Sequence, residues 1–388
     1  MGRIEKTILA ITGGAHLSVH ALMLALPSLI PIFIIEFNIG IDVLGFVVTV
    51  SAFMFGIGAI PSGWLESRIG GKTLLIIYLF GSSFSAILVS VSNSFSALVF
   101  GLGLLGLTSS IYHPAGLTLI SNRIHDITKG MAVHGIFGST GSAVGPVLAT
   151  TLALFISWRA SYAILGLFNL ALGFASILLI PSINNNENIK MKNNKKRDKK
   201  TNRTALLFFY LTNLIMGFVY YGFTTFMPIH FAENTKEILP FIPDTMKAGV
   251  FPSFVFISGI IGQILGGKLG SYFNRVRILP YIIAINIPFL LLMGYSKGIM
   301  LIIFSLCLGM TYFSSQPICN TIIADLTHTN NRGIGYGINF FLSMGVGSLA
   351  AMAGGVIAIN FGTNLIFISM GVLLIPALIT SYFIILKS

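Results

Sequence analysis

The sequence predicts an all-α, polytopic membrane protein with twelve transmembrane helices in two pseudo-symmetric six-helix bundles. Three observations predict this fold: the composition, the number of long apolar runs and an internal repeat. Of the 388 residues, 55% are hydrophobic and only 9% are charged, and the mean hydropathy is +0.90. A chain of this length with so few charged residues cannot cover a water-exposed surface, so we expect an integral membrane protein.

Apolar runs long enough to cross a bilayer occur twelve times. In the first half they lie at roughly 8–35, 44–66, 73–92, 95–121, 130–156 and 159–181. In the second half they lie at roughly 204–231, 247–273, 278–295, 299–325, 332–359 and 362–386. We therefore predict an N-terminal six-helix bundle over residues 1–181 and a C-terminal six-helix bundle over residues 204–388.

The interval between the two halves, residues 182–203, is rich in Asn, Lys and Arg and has no apolar periodicity. A segment of this composition cannot bury enough apolar surface to fold alone, so we predict a basic cytoplasmic linker. Binding of anionic lipid headgroups is an alternative role for the same charges.

The two halves repeat each other at a constant offset of 203 residues. Four residues of the first half recur in the second: Thr108, Pro114, Thr118 and Gly130 correspond to Thr311, Pro317, Thr321 and Gly333. Internal duplication of this kind is typical of transporters that hold a solute near mid-membrane between two halves. We therefore expect a transporter and not an enzyme, with no cofactor.

The basic residues are distributed unevenly between the two sides of the predicted membrane. If the amino terminus is inside, the outer turns contain only four basic residues: Arg159, Lys236, Lys247 and Lys297. The remaining Lys and Arg fall on the inner side, where such residues are retained during insertion. This predicts a multi-pass protein of the cytoplasmic membrane with both termini in the cytoplasm. The formal charge of +12 is thus a topological signal, and we expect no nucleic-acid partner.

One loop carries a recognisable motif. The segment from Gly63 to Lys72 reads Gly-Trp-Leu-Glu-Ser-Arg-Ile-Gly-Gly-Lys and resembles the loop between helices 2 and 3 of the major facilitator superfamily. The acidic residue of the family motif falls at Ser67, whereas the carboxylate here stands one position earlier. The resemblance implies alternating access, with a role in conformational gating for Gly63, Glu66, Arg68, Gly70 and Lys72.

A second motif lies in the fifth predicted helix. The segment from Gly141 to Thr150 is similar to the fifth-helix motif of the superfamily's proton-coupled exporters, Gly-x-x-x-Gly-Pro-x-x-Gly-Gly. Together with the stretch from Tyr112 to Gly116, it resembles the fosmidomycin-resistance branch of drug exporters. The resemblance implies export and a gating role for Gly141, Gly145 and Pro146. Close helix packing is the alternative reason for small residues at these positions.

Histidines are the titratable side chains inside the predicted helices, since no carboxylate lies in the middle third of any span. His16 and His20 are four residues apart and share one helix face. His113 lies at a similar distance from the inner membrane surface, so these rings are expected to surround one site. An imidazole has an unperturbed pKa near 6.5 and exchanges protons at physiological pH. We hypothesise that His16, His20, His113 and His134 couple transport to protons; a simple bond to a neighbouring helix is the alternative.

Substrate contacts are expected from the same rings and from neutral polar side chains in both halves. The predicted substrate-binding residues are His16, His20, Tyr112, His113, Asn213, Tyr220, Gln316, Asn320 and Asn339. Each amide or phenol also has an alternative role as a tie between helices. A cavity with imidazoles and amides but no buried acid suits a small polar or anionic solute better than a cationic drug.

Three functional readings follow from the sequence. The preferred one is a proton-coupled antiporter that exports a small polar or anionic solute or drug. The alternatives are a symporter that imports a small organic metabolite or anion, and a membrane receptor that moves nothing. A histidine-lined metal exporter is a minor alternative, because His16 and His20 have ligand spacing but no Cys or acid completes a site. The expected partners are a small-molecule substrate, protons and the lipid bilayer, and we expect a monomer.

Overall fold

A computed structural model describes residues 1–125, 127–181, 202–327 and 332–387. Twelve helices in these ranges are long and apolar enough to cross a membrane. No strand occurs in the described ranges. The prediction of an all-α protein with twelve spans is therefore confirmed. The predicted linker lies outside the described residues, except for its last two positions.

The first half contains spans α1 to α6. Their bounds are Arg3–Ser28 for α1, with a continuation at Ile30–Phe37; Ile41–Ile69 for α2; Gly71–Ser90 for α3; Phe95–Ser109 for α4, with a continuation at Tyr112–Arg123; Ile127–Phe155 for α5; and Trp158–Leu179 for α6.

The second half contains spans α7 to α12. Their bounds are Arg203–Asn234 for α7, Asp244–Tyr272 for α8, Arg275–Tyr295 for α9, Gly298–Leu326 for α10, Arg332–Phe361 for α11 and Thr363–Lys387 for α12. Within α11 the backbone forms a π-helical turn at Phe341–Gly345 and a 3-10 turn at Val346–Ser348.

An even number of spans places both chain ends on one side of the membrane, here called the terminal side; the other is called the opposite side. Thus α1, α5, α7 and α11 run from the terminal side to the opposite side, and α2, α4, α8 and α10 run back. The direction of each helix tells which side of the membrane a residue of that helix lies nearer to.

Two spans that were predicted as continuous are interrupted. The break in α1 is at Leu29 and the break in α4 is at Ser110 and Ile111. A proline lies just beyond each break, Pro31 in the first case and Pro114 in the second. Proline cannot donate the backbone hydrogen bond to the residue four positions earlier, so the helix ladder is lost at these points.

The halves pack closely on the opposite side. A Cβ on Gly45 of α2 would stand 2.2 Å from the carbonyl oxygen of Ala351 in α11, so only glycine allows this approach. A few residues along, Thr49 Oγ1 donates to the carbonyl oxygen of Ser348 at 2.8 Å. On the other flank, a Cβ on Gly249 of α8 would stand 2.0 Å from Thr150 Oγ1 of α5. Helix pairs α2–α11 and α5–α8 therefore close the opposite side.

Candidate functional site

Four imidazoles meet between α1, α4 and α5; they are called the histidine cluster (His16, His20, His113 and His134). The ring of His16 lies at the centre, with its centroid 4.8 Å from that of His20 and 5.3 Å from that of His113. His134 stacks on His16 at 3.9 Å with an interplanar angle of 12°. The structure thus brings together the three histidines that the sequence assigned to one site, and adds His134 to them.

Hydrogen bonds orient the central ring. Nδ1 of His16 lies 2.8 Å from the backbone oxygen of His134, which can only accept, so Nδ1 carries the proton. Nε2 of neutral His16 then carries the lone pair. It faces Nε2 of His20 at 3.1 Å, so His20 donates to it through that nitrogen. Both rings are held with ring nitrogens directed at each other.

Tyr112 lies beside the cluster and forms hydrogen bonds with α1 and with His134. Its side chain is fully buried, and its hydroxyl donates to the backbone oxygen of Thr12 at 2.6 Å. The phenolic oxygen can therefore accept from Nδ1 of His134, 3.3 Å away. Nε2 of His134 is then the basic nitrogen, and it has no hydrogen-bond partner among the described residues. In this conformation Tyr112 positions histidines, and the role in substrate contact remains a prediction.

His113 is the ring that meets the second half. It is partly buried, and its face stacks on Phe340 of α11 at 5.3 Å with an interplanar angle of 13°. Phe55 of α2 approaches its edge at 6.0 Å. Phe340 immediately precedes the π-helical turn of α11. Any movement of α11 against the first half therefore changes the surroundings of His113.

The small residues of α5 make room for α1. A Cβ on Gly138 would stand 2.3 Å from Cε1 of His16, and one on Gly141 would stand 2.1 Å from the backbone oxygen of Leu17. A Cβ on Gly145 would stand 2.7 Å from Cα of Ala21. Pro146 continues the same helix without ending it. The motif residues Gly141, Gly145 and Pro146 thus lie where α5 packs on α1, and their gating role remains a prediction.

A chain of polar side chains joins the two halves near the cluster. Ser139 Oγ of α5 donates to Gln263 Oε1 of α8 at 3.0 Å, and Gln263 Nε2 donates to Gln316 Oε1 of α10 at 2.9 Å. Gln316 and Asn320 are both exposed although they lie within span α10, in the half nearer the terminal side. Exposed amides at this depth require water or protein around them. Because Ser139, Gln263 and Gln316 link the two halves, we infer that these amides border a polar cleft between the halves on the terminal side.

Ser139 and Gln263 are not among the substrate contacts predicted from the sequence. The available signal was an amide in an otherwise apolar run, which is costly in lipid.

The other predicted contacts of the second half are placed differently. Asn213 is buried and donates to the backbone oxygen of Phe209 in its own helix at 3.1 Å. Tyr220 stacks on Tyr312 at 6.3 Å within a cluster of aromatic rings. Asn339 of α11 has a buried Oδ1 without a partner among the described residues. Of the three side chains, Asn339 is the one with a buried polar atom that lacks a partner among the described residues.

The loop motif lies at the terminal end of α2. Gly70 ends that helix with φ of +82°, a value that favours glycine. The guanidinium of Arg68 lies 3.7 Å above the ring of Trp64, and Lys72 Nζ donates to the backbone oxygen of Ile177 at 3.4 Å. Gly63 and Glu66 are partly buried in the last turns of α2. The gating role of these residues remains a prediction.

His230 of α7 is a buried histidine that sequence analysis overlooked. Nε2 donates to the backbone oxygen of Met293 at 3.1 Å, and Nδ1 lies 3.0 Å from Thr363 Oγ1. It is far along α7 on the opposite side and ties that helix to α9 and α12. With both nitrogens occupied, its contacts are those of a structural residue.

Three members of the histidine cluster have the arrangement of metal ligands. One ring nitrogen each from His16, His20 and His113 lies within 4.8 Å of the other two. Neutral imidazoles at this spacing can hold a transition-metal ion. The arrangement can therefore bind protons, hydrogen-bonding solutes or such an ion.

Comparison with known proteins shows which family the chain resembles. Residues 11–352 match the sequence model described as Major Facilitator Superfamily. A protein of Buchnera aphidicola subsp. Schizaphis graminum named as an uncharacterized transporter is 25% identical over 330 residues, which cover 83% of this chain and 76% of the relative. The fosmidomycin resistance protein of Escherichia coli K12 is 21% identical over 304 residues, 72% of this chain and 69% of that protein.

A solved structure has the same fold over the whole chain. It is a bacterial homolog of the human lysosomal transporter Spinster in an inward-facing and occupied conformation, with a TM-score of 0.76. The sequence identity is 12%, and the alignment covers 100% of this chain and 97% of the other. At this identity the likeness concerns the fold alone.

Proposed function

This chain belongs to the Major Facilitator Superfamily, and for this integral multi-pass membrane transporter we propose proton-coupled export of a small polar or anionic solute. The observation that carries the proposal is the histidine cluster beside the cleft. Intramembrane ionisable groups are costly and are functional by default. Here four of them lie in contact, and one ring stacks on the second half of the protein.

Proton coupling is supported by the nitrogen atoms of the cluster. His134 Nε2 is a buried base without a partner among the described residues, and His16 Nε2 and His20 Nε2 share one proton. The rings are in contact, so a positive charge on one of them disfavours protonation of its neighbours. The cluster therefore favours one bound proton over several. A solute whose N–H or O–H group donates to one of these nitrogens competes with a proton for the same lone pair, and this competition is the condition for antiport.

Phe340 is the contact through which a change in the histidine cluster can affect the second half. It stacks on His113 and precedes the irregular turns of α11. Protonation of His113 changes this contact, because a cationic imidazolium interacts with an aromatic face more strongly than the neutral ring does. We propose that this contact links the protonation state to the position of α11.

The solute class follows from the polar groups around the cleft. The chain Ser139–Gln263–Gln316 and the exposed Asn320 offer hydrogen-bond donors, and the neutral imidazoles offer both donor and acceptor nitrogens. This set suits oxygen-rich anions or neutral polar solutes. The name of the Escherichia coli relative, a fosmidomycin resistance protein, supports export. With both termini in the cytoplasm, as the basic loops predict, the closed opposite side corresponds to an inward-facing conformation.

The test is flux into proteoliposomes under a pH gradient, with fosmidomycin and a panel of anionic and neutral polar solutes. An antiporter accelerates solute uptake when the lumen is more acidic than the bath, since protons leave as solute enters. For His113→Ala and His16→Ala we expect the stimulation by the gradient to fall to background. His125→Ala, which alters an exposed ring outside the cluster, should respond as the wild type does.

Each contrary outcome has a distinct meaning. Faster solute uptake under the reverse gradient, with the bath more acidic than the lumen, would indicate symport and contradict antiport. Full gradient response in both cluster variants would contradict proton coupling by the histidines. A solute that binds the protein but is never carried across the membrane would favour the alternative of a receptor that transports nothing.

A further inference from the structure

We propose that His16, His20 and His113 form a binding site for a divalent transition-metal ion such as Zn²⁺. The proposal goes beyond the proposed function, because it rests on the positions of three ligand nitrogens and on no property of the transported solute. His16 and His20 come from α1 and His113 from α4, so the whole ligand set lies in the first half.

The spacing of the ligand atoms fits a tetrahedral ion. Zinc-bound imidazole nitrogens lie about 2.0–2.1 Å from the metal, so two of them stand roughly 3.3 Å apart in tetrahedral geometry. Nε2 of His16 and Nε2 of His20 are 3.1 Å apart. The ion would take the place of the proton between them, and His20 would then carry its proton on Nδ1. The nitrogen of His113 lies within 4.8 Å of both. A small rotation of one ring is therefore enough to bring the third ligand to the same point.

The central ligand has the outer contact that metal-binding histidines require. Such a histidine donates its other ring N–H to a carboxylate or a backbone oxygen, which fixes the tautomer. Nδ1 of His16 donates to the backbone oxygen of His134 at 2.8 Å, so its Nε2 presents a lone pair to the site. Gly138 leaves the space in which this ring lies.

The type of ligand selects the class of ion. Neutral imidazole nitrogens suit Zn²⁺, Ni²⁺, Co²⁺ and Cu²⁺, whereas Mg²⁺ and Ca²⁺ prefer oxygen ligands and Cu⁺ prefers sulfur. Three protein ligands leave one tetrahedral position open. His20 and His113 are only partly buried, so water or an oxygen atom of a solute can reach that position.

The experiment measures metal binding by the full-length protein, purified in detergent without a polyhistidine tag at constant pH. Co²⁺ serves as the visible probe, and Zn²⁺ is added to displace it. We expect one Co²⁺ per chain with the strong visible absorption of tetrahedral cobalt, and loss of that absorption when Zn²⁺ is added. Zn²⁺ should also raise the temperature of unfolding, because an ion that binds only the folded state stabilises it.

His20→Gln and His113→Asn keep a polar side chain but remove a ligand. Loss of an outer contact alone weakens metal binding roughly 10–100-fold, so we expect at least that loss in each variant. His125→Asn is the matched control and should bind as the wild type does. Absence of cobalt absorption in the wild type, or equal binding in all variants, would overturn the proposal. Persistence of the wild-type elution profile and unfolding temperature in the variants without metal shows that they fold.

A second arm separates this proposal from the proposed function. If Zn²⁺ binds the cluster and the cluster lies on the transport path, micromolar Zn²⁺ should inhibit gradient-driven flux in the wild type. Binding without inhibition would support the metal site and contradict the transport role of the histidines. Normal gradient-driven flux without any metal binding would overturn the metal site and leave the transport role intact.

Discussion

At the scale of single residues, Gly138 decides whether the histidine cluster can form. A Cβ there would stand 2.3 Å from the ring of His16, so any larger residue forces that ring to move. For Gly138→Ala we expect the His16 ring to move away from the backbone oxygen of His134, with a loss of stability of roughly 1–3 kcal/mol from overpacking. The measurement is thermal unfolding in detergent, together with gradient-driven flux.

Gly135→Ala is the matched control for this substitution. It lies on the same helix, and a Cβ there would meet nothing within 4 Å. Its unfolding temperature should equal or slightly exceed that of the wild type, because alanine favours helix. Equal unfolding temperatures and equal flux in the two variants would show that Gly138 does not shape the cluster.

The sequence predicted part of this site. Helical spacing placed His16 and His20 on one face, and depth placed His113 beside them. It did not predict that His134 stacks on His16, or that Ser139 and Gln263 connect the halves. The depth of a residue in the membrane can be estimated by counting along its helix. Which helix its side chain faces cannot be predicted in the same way, because lipid tails are as apolar as the protein interior and no polar face marks the outer side of a helix. His230 was overlooked although its position inside a span was itself a signal.

At the scale of helices, twelve spans were predictable because each must cross about 30 Å of hydrocarbon. The breaks at Leu29 and at Ser110 were not predicted, although Pro31 and Pro114 indicate them in retrospect. The π-helical turn of α11 has no proline, and its sequence Phe-Leu-Ser-Met-Gly gives no local reason for it. Close packing accompanies it: Gly345 approaches Gly56 of α2, and Gly347 of the adjoining 3-10 turn approaches Gly217 of α7.

The contact between α2 and α11 leads to a prediction about conformation. In Gly45→Ala the new Cβ would lie 2.2 Å from the backbone oxygen of Ala351, so the two helices must separate on the opposite side. We expect the closed arrangement to lose roughly 1–3 kcal/mol relative to arrangements that are open there. Distances between spin labels at the opposite-side ends of α2 and α11 should lengthen.

Gly267→Ala in α8, where a Cβ would meet nothing within 4 Å, is the control and should leave the spin-label distances unchanged. A Gly45→Ala protein with the wild-type distance distribution would contradict the view that close glycine contacts hold the opposite side closed.

At the scale of the whole molecule, two halves of six helices meet along α2–α11 and α5–α8 and enclose polar groups that neither half could expose to lipid. The histidine cluster belongs to the first half, whereas Phe340, Gln263 and Gln316 come from the second. A movement that separates the halves on one side and closes them on the other must therefore change what the cluster contacts. The central claim is that water and solute reach the cluster from one side of the membrane at a time.

Chemical accessibility of position 20 tests that claim most directly. His20→Cys is introduced into a protein in which Cys307 and Cys319, the two native cysteines, are replaced by alanine. It is then treated with a membrane-impermeant thiol reagent from each side of sealed vesicles. The account predicts modification from the terminal side, slowed by a transported solute. Modification by a lipid-soluble reagent alone, at a rate that no solute changes, would contradict it.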